Sequence, residues 1–279
     1  MEKRVQNCHS REGGNPYLVK KFLQVILIIA IAALLPACTV LRWGGPKNSA
    51  PSPAPEPTAE DIFKSGEDLL AKGKYDEARK KYESVKERDL DKTYDALVEI
   101  RLGDSYYEEA RYSEAEVEYR HFLELHQQNK AAPYVMYQIG MCNFKQIDRP
   151  DRDPSFAINA ASSFGKLLKD YPNNPYEEES KEKLKVAREH VAENEYLIGQ
   201  YYYKRGSWKA AEKRFQGLVE KFPGSKDEPE TLYCLADSCI NLKDYDSAKN
   251  ALARLYQEYP NNRFAEKAKS KLASRIPEK

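Results

Sequence analysis

The sequence predicts an all-α protein, a solenoid of paired antiparallel helices, because one motif recurs along it with fixed offsets. The motif is written "GKYDEARKKY" at 73–82, "ARYSEAEVEY" at 110–119, "GSWKAAEKRF" at 206–215 and "KDYDSAKNAL" at 243–252. A fifth and more divergent copy surrounds Ala160. A helix pair of this kind cannot bury its own apolar face, so neighbouring pairs must stack into one continuous core.

The offsets match the tetratricopeptide repeat (TPR), in which small residues let two helices approach and large residues fill the gap between repeats. The small residues are Gly66, Gly103, Gly140, Gly199 and Ala236. The large residues are Tyr82, Tyr119, Phe164, Phe215 and Leu252. We therefore predict a TPR solenoid of five helix pairs over about 60–275, with repeats 1–3 in about 60–174 and repeats 4–5 in about 175–275.

A single long helix is expected to link repeats 3 and 4. Repeat 3 contains the insertion "IDRPDRDPSFA" ahead of its motif, and the segment after "YPNN" has no break in its helical pattern. Asn174 is placed to cap this helix, with Pro175 at its first position and Glu177 at its third. The helix should run from about 175 to 204.

The N-terminal segment 1–37 has the pattern of a lipoprotein signal peptide. Its apolar run, 25–35, has 11 residues, whereas a membrane-spanning helix needs about 20. The run ends in "LPAC", which resembles the lipobox of bacterial lipoproteins, although Pro36 is unusual there. This implies that Cys38 carries diacylglycerol and an N-acyl chain; the alternative is an ordinary signal peptide cleaved nearby. The first eighteen residues do not resemble a signal peptide, and we hypothesise that translation starts near Val19.

Residues 38–59 are predicted to form the lipidated N-terminus and an extended tether. The stretch "GGPKNSAPSPAPEPTA" contains five prolines, and such sequences adopt polyproline II with a rise of about 3.1 Å per residue. The tether ends where Thr58 can cap a helix and Asp61 stands at the position that completes a capping box.

No motif for catalysis is present, so we predict a non-enzymatic protein without a cofactor or a metal. Phosphate-binding, dinucleotide-binding and nucleophile-elbow patterns are missing, and His121 and His126 have the wrong spacing for shared metal ligation. The formal net charge of +1 lacks the basic excess typical of nucleic-acid-binding proteins. Cys142, Cys234 and Cys239 are expected to be small buried residues rather than disulfide partners.

The first helices of repeats 1–3 are expected to form an aromatic peptide groove. A few positions of each first helix face the concave side of a TPR solenoid, and they can be counted from the small residue. Here they include Phe63, Ile100, Tyr107, Tyr134, Tyr137, Met141 and Phe144. Such a surface suits an extended peptide with aromatic side chains. The alternative is that several of these residues pack between helices.

Several blocks resemble the BamD family, the lipoprotein subunits of the β-barrel assembly machinery in Gram-negative outer membranes. They are "YVMYQIG", "DRDP", "YPNNPY" and "EYLIGQYYYKRGSW", and the resemblance covers about residues 35–270. It implies a scaffold anchored by lipid in the inner leaflet of the outer membrane, on the periplasmic side. In this family the C-terminal repeats dock on periplasmic domains of the barrel subunit BamA. The N-terminal repeats bind unfolded outer-membrane proteins, and other Bam lipoproteins are candidate partners.

By this resemblance, Arg214 is the candidate contact to the barrel subunit. Its neighbours three and four positions away on the predicted helix are Ala210, Ala211, Gly217 and Leu218. None is acidic, so the guanidinium has no partner on its own helix and can form a two-pronged bond with a carboxylate of another protein. The "DRDP" segment is expected to be a structural loop. The alternative is a different TPR envelope lipoprotein, such as the pilotin of a pilus secretin or a Tol–Pal accessory protein.

Overall fold

The computed structural model describes residues 56–277, and within them it contains eleven α-helices, one 3₁₀ turn and no strand. The helices are α1 (Ala59–Ala71), α2 (Tyr75–Arg88), α3 (Asp95–Glu108), α4 (Tyr112–Leu125), α5 (Ala132–Phe144), α6 (Ser155–Asp170), α7 (Glu177–Lys204), α8 (Trp208–Lys221), α9 (Glu228–Asn241), α10 (Tyr245–Glu258) and α11 (Arg263–Lys271). The predicted signal peptide, Cys38 and most of the tether lie outside the described residues.

The helices pack in chain order, each against the one before it and the one after it. Five antiparallel pairs result: α1 with α2, α3 with α4, α5 with α6, α7 with α8, and α9 with α10. Helix α11 covers α9 and α10 at the C-terminal end. The predicted all-α TPR architecture is thus confirmed, since each pair buries its apolar face only by stacking on its neighbours.

Small residues and large rings meet inside each pair, as the motif offsets predict. A methyl group added at Gly66, Gly103, Gly140 or Gly199 would lie 2.5–2.6 Å from a ring atom of the large residue in the same pair. In the fifth pair, Ala236 and Leu252 belong to one buried cluster. Real Cβ atoms essentially never lie within 3.0 Å of another heavy atom. The four glycines therefore allow their helices to pack directly on the rings.

The first helix begins with the capping box that the sequence predicts. Asp61 N donates to Thr58 Oγ1 at 3.2 Å, and Thr58 N donates to Asp61 Oδ2 at 3.0 Å. The two bonds satisfy backbone donors that the helix leaves free at its start. The hydrogen bonds from Thr58 also hold the pKa of the Asp61 carboxyl below its ordinary value.

The predicted long helix is α7, with 28 residues, and it links the third and fourth pairs. It begins at Glu177, two residues later than expected, so Glu177 is its first residue rather than its third. The reason is a turn ahead of the helix: Asn174 Nδ2 donates to Tyr171 O at 2.8 Å, and Tyr176 N donates to Asn174 Oδ1 at 2.8 Å. Pro175 therefore stands in this turn instead of in the helix.

The inserted loop between α5 and α6 is fixed to the long helix. Asn194 Nδ2 donates to the carbonyl oxygens of Pro150 and Arg152 at 2.7 and 2.9 Å. Asp153 Oδ1 accepts from Ser155 N at 3.0 Å, where α6 starts. These bonds attach the polar insertion to α7 and to the start of α6.

The cysteines Cys142, Cys234 and Cys239 are buried and free, as predicted. Burial raises the pKa of the Cys142 and Cys234 thiols to about 12. A protonated, inaccessible thiol is a poor nucleophile and a poor metal ligand, so these side chains act as core residues.

Candidate partner-binding surfaces

Of the predicted aromatic groove, three residues lie inside the packing between helices. Phe63, Ile100 and Tyr137 are only 8%, 6% and 8% exposed. The Phe63 ring lies against Tyr82 and Tyr94, with centroid separations of 5.6 and 5.3 Å. These three side chains stabilise the contact between repeats, and this structure leaves them little surface for a peptide. Met141, at 8% exposure, is buried in the same way.

Tyr107, Tyr134 and Phe144 are partly exposed and remain candidates for peptide binding. The Tyr107 ring meets Tyr112 edge-on at 5.3 Å, and burial raises the pKa of Tyr107 to about 12. Lys183 Nζ lies 5.1 Å from the centroid of the Phe144 ring. Tyr107 borders the buried clusters of both the second and the third pair. The residues left accessible thus concentrate around the third pair.

Tyr176, which the sequence reasoning did not select, covers part of this face. Its ring stacks on Tyr137 with centroids 4.8 Å apart and an interplanar angle of 19°, and it lies 5.9 Å from the Tyr134 ring. Burial and the nearby Glu179 carboxylate raise the pKa of Tyr137 above its ordinary value. The block "YPNNPY" contains Tyr176, but its place opposite α5 depends on the turn before α7.

A polar network crosses the same region and is centred on Asp104. Its Oδ1 accepts from the hydroxyls of Tyr119 and Tyr134, both at 2.7 Å, and its Oδ2 accepts from Arg101 at 2.8 Å. Arg101 Nε donates to Glu67 at 2.9 Å. Burial raises the pKa values of Tyr119 and Tyr134 above their ordinary range, so both phenols stay neutral donors. The network joins the first three pairs.

Arg214 does have a partner within the chain, although not on its own helix. Its Nη1 donates to Glu195 Oε2 on α7 at 2.9 Å, with the two side chains 43% and 33% exposed. Helical spacing could exclude a partner on α8 but could not foresee one on the neighbouring helix. Among the described residues the guanidinium donates only through Nη1, so its other N–H groups remain available.

An open groove lies beside Arg214, between α6 and α8, with α7 as its floor. A hollow of about 640 Å³ adjoins a second of about 370 Å³, and both are lined by Ile158, Val191, Lys221 and Phe222. The first hollow is also lined by Glu195, Tyr202, Ala210, Lys213, Arg214 and Gly217. The second is also lined by Ala161, Ser162, Gly165, Leu184 and Arg188. We call this surface the α6–α8 groove.

Two histidines face one buried carboxylate at the end of α4. His121 Nδ1 lies 3.1 Å from Glu99 Oε1, and His126 Nε2 lies 3.4 Å from Glu99 Oε2.

From 56 to 277, the structure contains no group of three or more ligating side chains arranged to hold a metal. None of the helices in this range is long and apolar enough to cross a membrane.

Comparison with known proteins gives a family match over most of the described chain. The model of the YfiO family, described as outer membrane lipoprotein, matches residues 55–244, and a tetratricopeptide repeat model matches residues 230–262. "Outer membrane protein assembly factor BamD" of Caulobacter vibrioides is 26% identical over 236 residues, which cover 85% of this chain and 77% of that protein.

The protein of the same name from Rickettsia prowazekii is 26% identical over 203 residues, 73% of this chain and 81% of that protein. The one from Neisseria meningitidis serogroup A is 22% identical over 251 residues, 86% of this chain and 93% of that protein. Because the family model spans more than half of the chain, the chain belongs to the YfiO family of outer membrane lipoproteins, and its resemblance to BamD is confirmed.

Proposed function

We propose that the chain is a non-catalytic scaffold for the assembly of β-barrel proteins in the outer membrane. It is held at the periplasmic side by lipid on Cys38, docks on a BamA-like barrel subunit through its C-terminal repeats, and binds unfolded outer-membrane proteins through its N-terminal repeats. The printed name of the relatives, outer membrane protein assembly factor, supports the general role. The open groove beside Arg214 is the observation that best supports the docking.

Arg214 is the proposed centre of the contact with the barrel subunit. Its single bond to Glu195 is exposed, and exposed ion pairs contribute about 0–1 kcal/mol, so a partner can replace it at little cost. Arginine binds a carboxylate through two parallel N–H groups, which lysine cannot do. We therefore expect an acidic residue of the barrel subunit's periplasmic domain to bind the donors that Glu195 leaves free.

Charge reversal at this position tests the docking. Arg214→Glu should release the barrel subunit during purification from detergent-solubilised membranes. The reason is that the proposed pair between Arg214 and the partner's carboxylate would be buried in the complex, and removing one member of such a pair costs about 2–5 kcal/mol of binding free energy. Lys209→Glu is the matched control: it lies on the same helix, is 80% exposed and makes only an ion pair with Glu212 one turn away. Circular dichroism should show the same helix content for both variants.

Co-purification also separates the proposed function from its alternative. Recovery of a BamA-like barrel with the wild-type chain supports the proposal, whereas recovery of a secretin or of Tol components would favour another envelope lipoprotein. If Arg214→Glu retains the barrel subunit in moderate salt as fully as Lys209→Glu does, the role of Arg214 is wrong.

Client binding is proposed for the accessible part of the concave face. Tyr107, Tyr134 and Phe144 are expected to contact an extended strand that ends in an aromatic residue, each contributing about 0.5–1.5 kcal/mol. A photo-crosslinking peptide from the C-terminus of an outer-membrane protein should label α3 and α5. Labelling confined to the second helices of the pairs, α2 and α4, would contradict this proposal.

The lipid anchor is proposed at Cys38, outside the described residues. One acyl chain gives only marginal membrane binding, and two or more give a stable anchor. Cys38→Ser should therefore leave the outer-membrane fraction when the partner subunits are removed. Retention of that variant in the membrane without its partners would exclude lipid as the anchor.

A further inference from the structure

We infer that the α6–α8 groove receives an apolar side chain, flanked by carboxylates, from the barrel subunit. This inference rests on the proposed docking at Arg214 and extends it from one charge pair to a surface that reaches the third repeat. Its basis is the combination of two open glycines, an accessible apolar strip and an excess of basic side chains along the groove.

The two glycines on the walls of the groove have no role in the packing of this chain. A methyl group added at Gly165 on α6 or at Gly217 on α8 would meet no atom within 4 Å. At Gly103, by contrast, the same group would lie 2.5 Å from the Tyr119 ring. Glycine weakens a helix interior relative to alanine. Open glycines on facing helices therefore leave space that the folded chain itself does not use.

An accessible apolar strip runs across the groove, with one side chain on α6, one on α7 and one just after α8. Ile158 is 48% exposed, and Val191 and Phe222 line both hollows. Helices α7 and α8 are rich in charged residues, so this apolar strip contrasts with the surface on their side of the groove. An apolar side chain inserted here would remove both itself and the strip from water, which is favourable in proportion to the area buried.

Basic side chains outnumber acidic ones along the groove. Arg188, Lys213, Arg214 and Lys221 line the two hollows, and Glu195 is the one acidic residue among the lining residues. Glu195 is already bound to Arg214, and Arg188 donates to the Lys221 carbonyl oxygen at 2.9 Å while keeping its charge. The excess of positive charge fits a segment with carboxylates on both sides of its apolar residue.

Filling the groove without changing its charge tests the inference. Gly165→Leu and Gly217→Leu place a side chain in the hollows, whereas Gly165→Ala and Gly217→Ala improve the helices equally but leave most of the space open. The full chain, purified in detergent, is titrated against the purified barrel subunit, and the dissociation constant is measured. We expect each leucine variant to weaken binding by about tenfold or more, and each alanine variant to bind like the wild type.

The variants also distinguish this inference from the docking on which it rests. If the leucine variants bind like the wild type while Arg214→Glu does not bind, the insertion of a side chain into the groove is wrong. The docking at Arg214 would then still stand. Normal binding by the leucine variants and by Arg214→Glu would overturn both. Ile158→Glu is a further check, because this exposed position tolerates a charge: it should weaken binding by repelling the acidic segment, and unchanged affinity would count against the groove.

Discussion

The concave face of repeats 1–3 and the α6–α8 groove differ in how many of their side chains are already in contact with other residues of the chain. On the concave face, Tyr134 is hydrogen-bonded to Asp104 and Tyr137 is covered by Tyr176. In the groove, open glycines and an exposed isoleucine surround an arginine whose donors are mostly free. Aromatic residues at inward positions are thus largely used in the packing of the solenoid. The open glycines, in contrast, leave space on the surface that the folded chain does not fill.

The largest change in the free energy of unfolding is expected for a substitution of Asp104, on the concave face. Asp104→Ala leaves the phenols of Tyr119 and Tyr134 without their acceptor and Arg101 without one of its two carboxylates. Because breaking a buried hydrogen-bonded network leaves desolvated donors behind, we expect a loss of about 3 kcal/mol in the free energy of unfolding. Urea denaturation followed by circular dichroism measures it.

Glu124→Ala is the control for this prediction, because Glu124 is an exposed acidic residue on the adjacent helix α4. Its effect should stay within about 0.5 kcal/mol. Equal stability of the two variants would mean that the network does not hold the N-terminal repeats together, and that the concave face is looser than its contacts indicate.

The next largest change in stability is expected at a glycine that packs directly against an aromatic ring. Gly103→Ala places a methyl group 2.5 Å from the fully buried Tyr119 ring, and overpacking of this kind costs about 1–3 kcal/mol. Helix propensity alone predicts the opposite sign, a gain of about 1 kcal/mol. The midpoint of urea unfolding decides between them, and a stabilised Gly103→Ala variant would refute the close packing between α3 and α4.

The repeat architecture was predictable because its determinants are local. The offset from Gly103 to Tyr119 requires only that two short helices lie antiparallel, and the structure places these two residues in contact. Helix starts were predictable where a side chain caps its own helix, as Thr58 does. The start of α7 was misplaced by two residues because Asn174 bonds to a turn rather than to the helix.

The candidate binding surfaces were only partly predictable, because they depend on contacts between distant residues. Arg214 was selected as a candidate through the resemblance to a family motif, but its bond to Glu195 joins two helices and has no signal in the sequence. Phe63 and Tyr137 occupy inward positions, yet whether such positions are free depends on neighbours such as Tyr94 and Tyr176. Gly165 and Gly217 differ from the packed glycines only in three dimensions.

A moderate effect is expected where the turn before α7 covers the concave face. Tyr176→Ala removes the ring stacked on Tyr137, and a pair of this kind contributes about 0.5–1.5 kcal/mol beyond the area that it buries. A double-mutant cycle with Tyr137→Leu isolates this coupling. A coupling energy near zero would mean that the two rings do not interact in solution and that Tyr137 is open to clients.

The smallest effect, with the opposite sign, is expected at the open glycines. Gly217→Ala adds a methyl group that meets no atom within 4 Å, so only the helix preference remains, and the free energy of unfolding should rise by about 0.5–1 kcal/mol. The same change at Gly103 is the matched comparison, since both residues lie inside helices and differ only in what surrounds them. Urea titrations of the two variants under identical conditions measure the difference. Destabilisation of both variants by similar amounts would show that the groove is closed in solution and that the two regions do not differ.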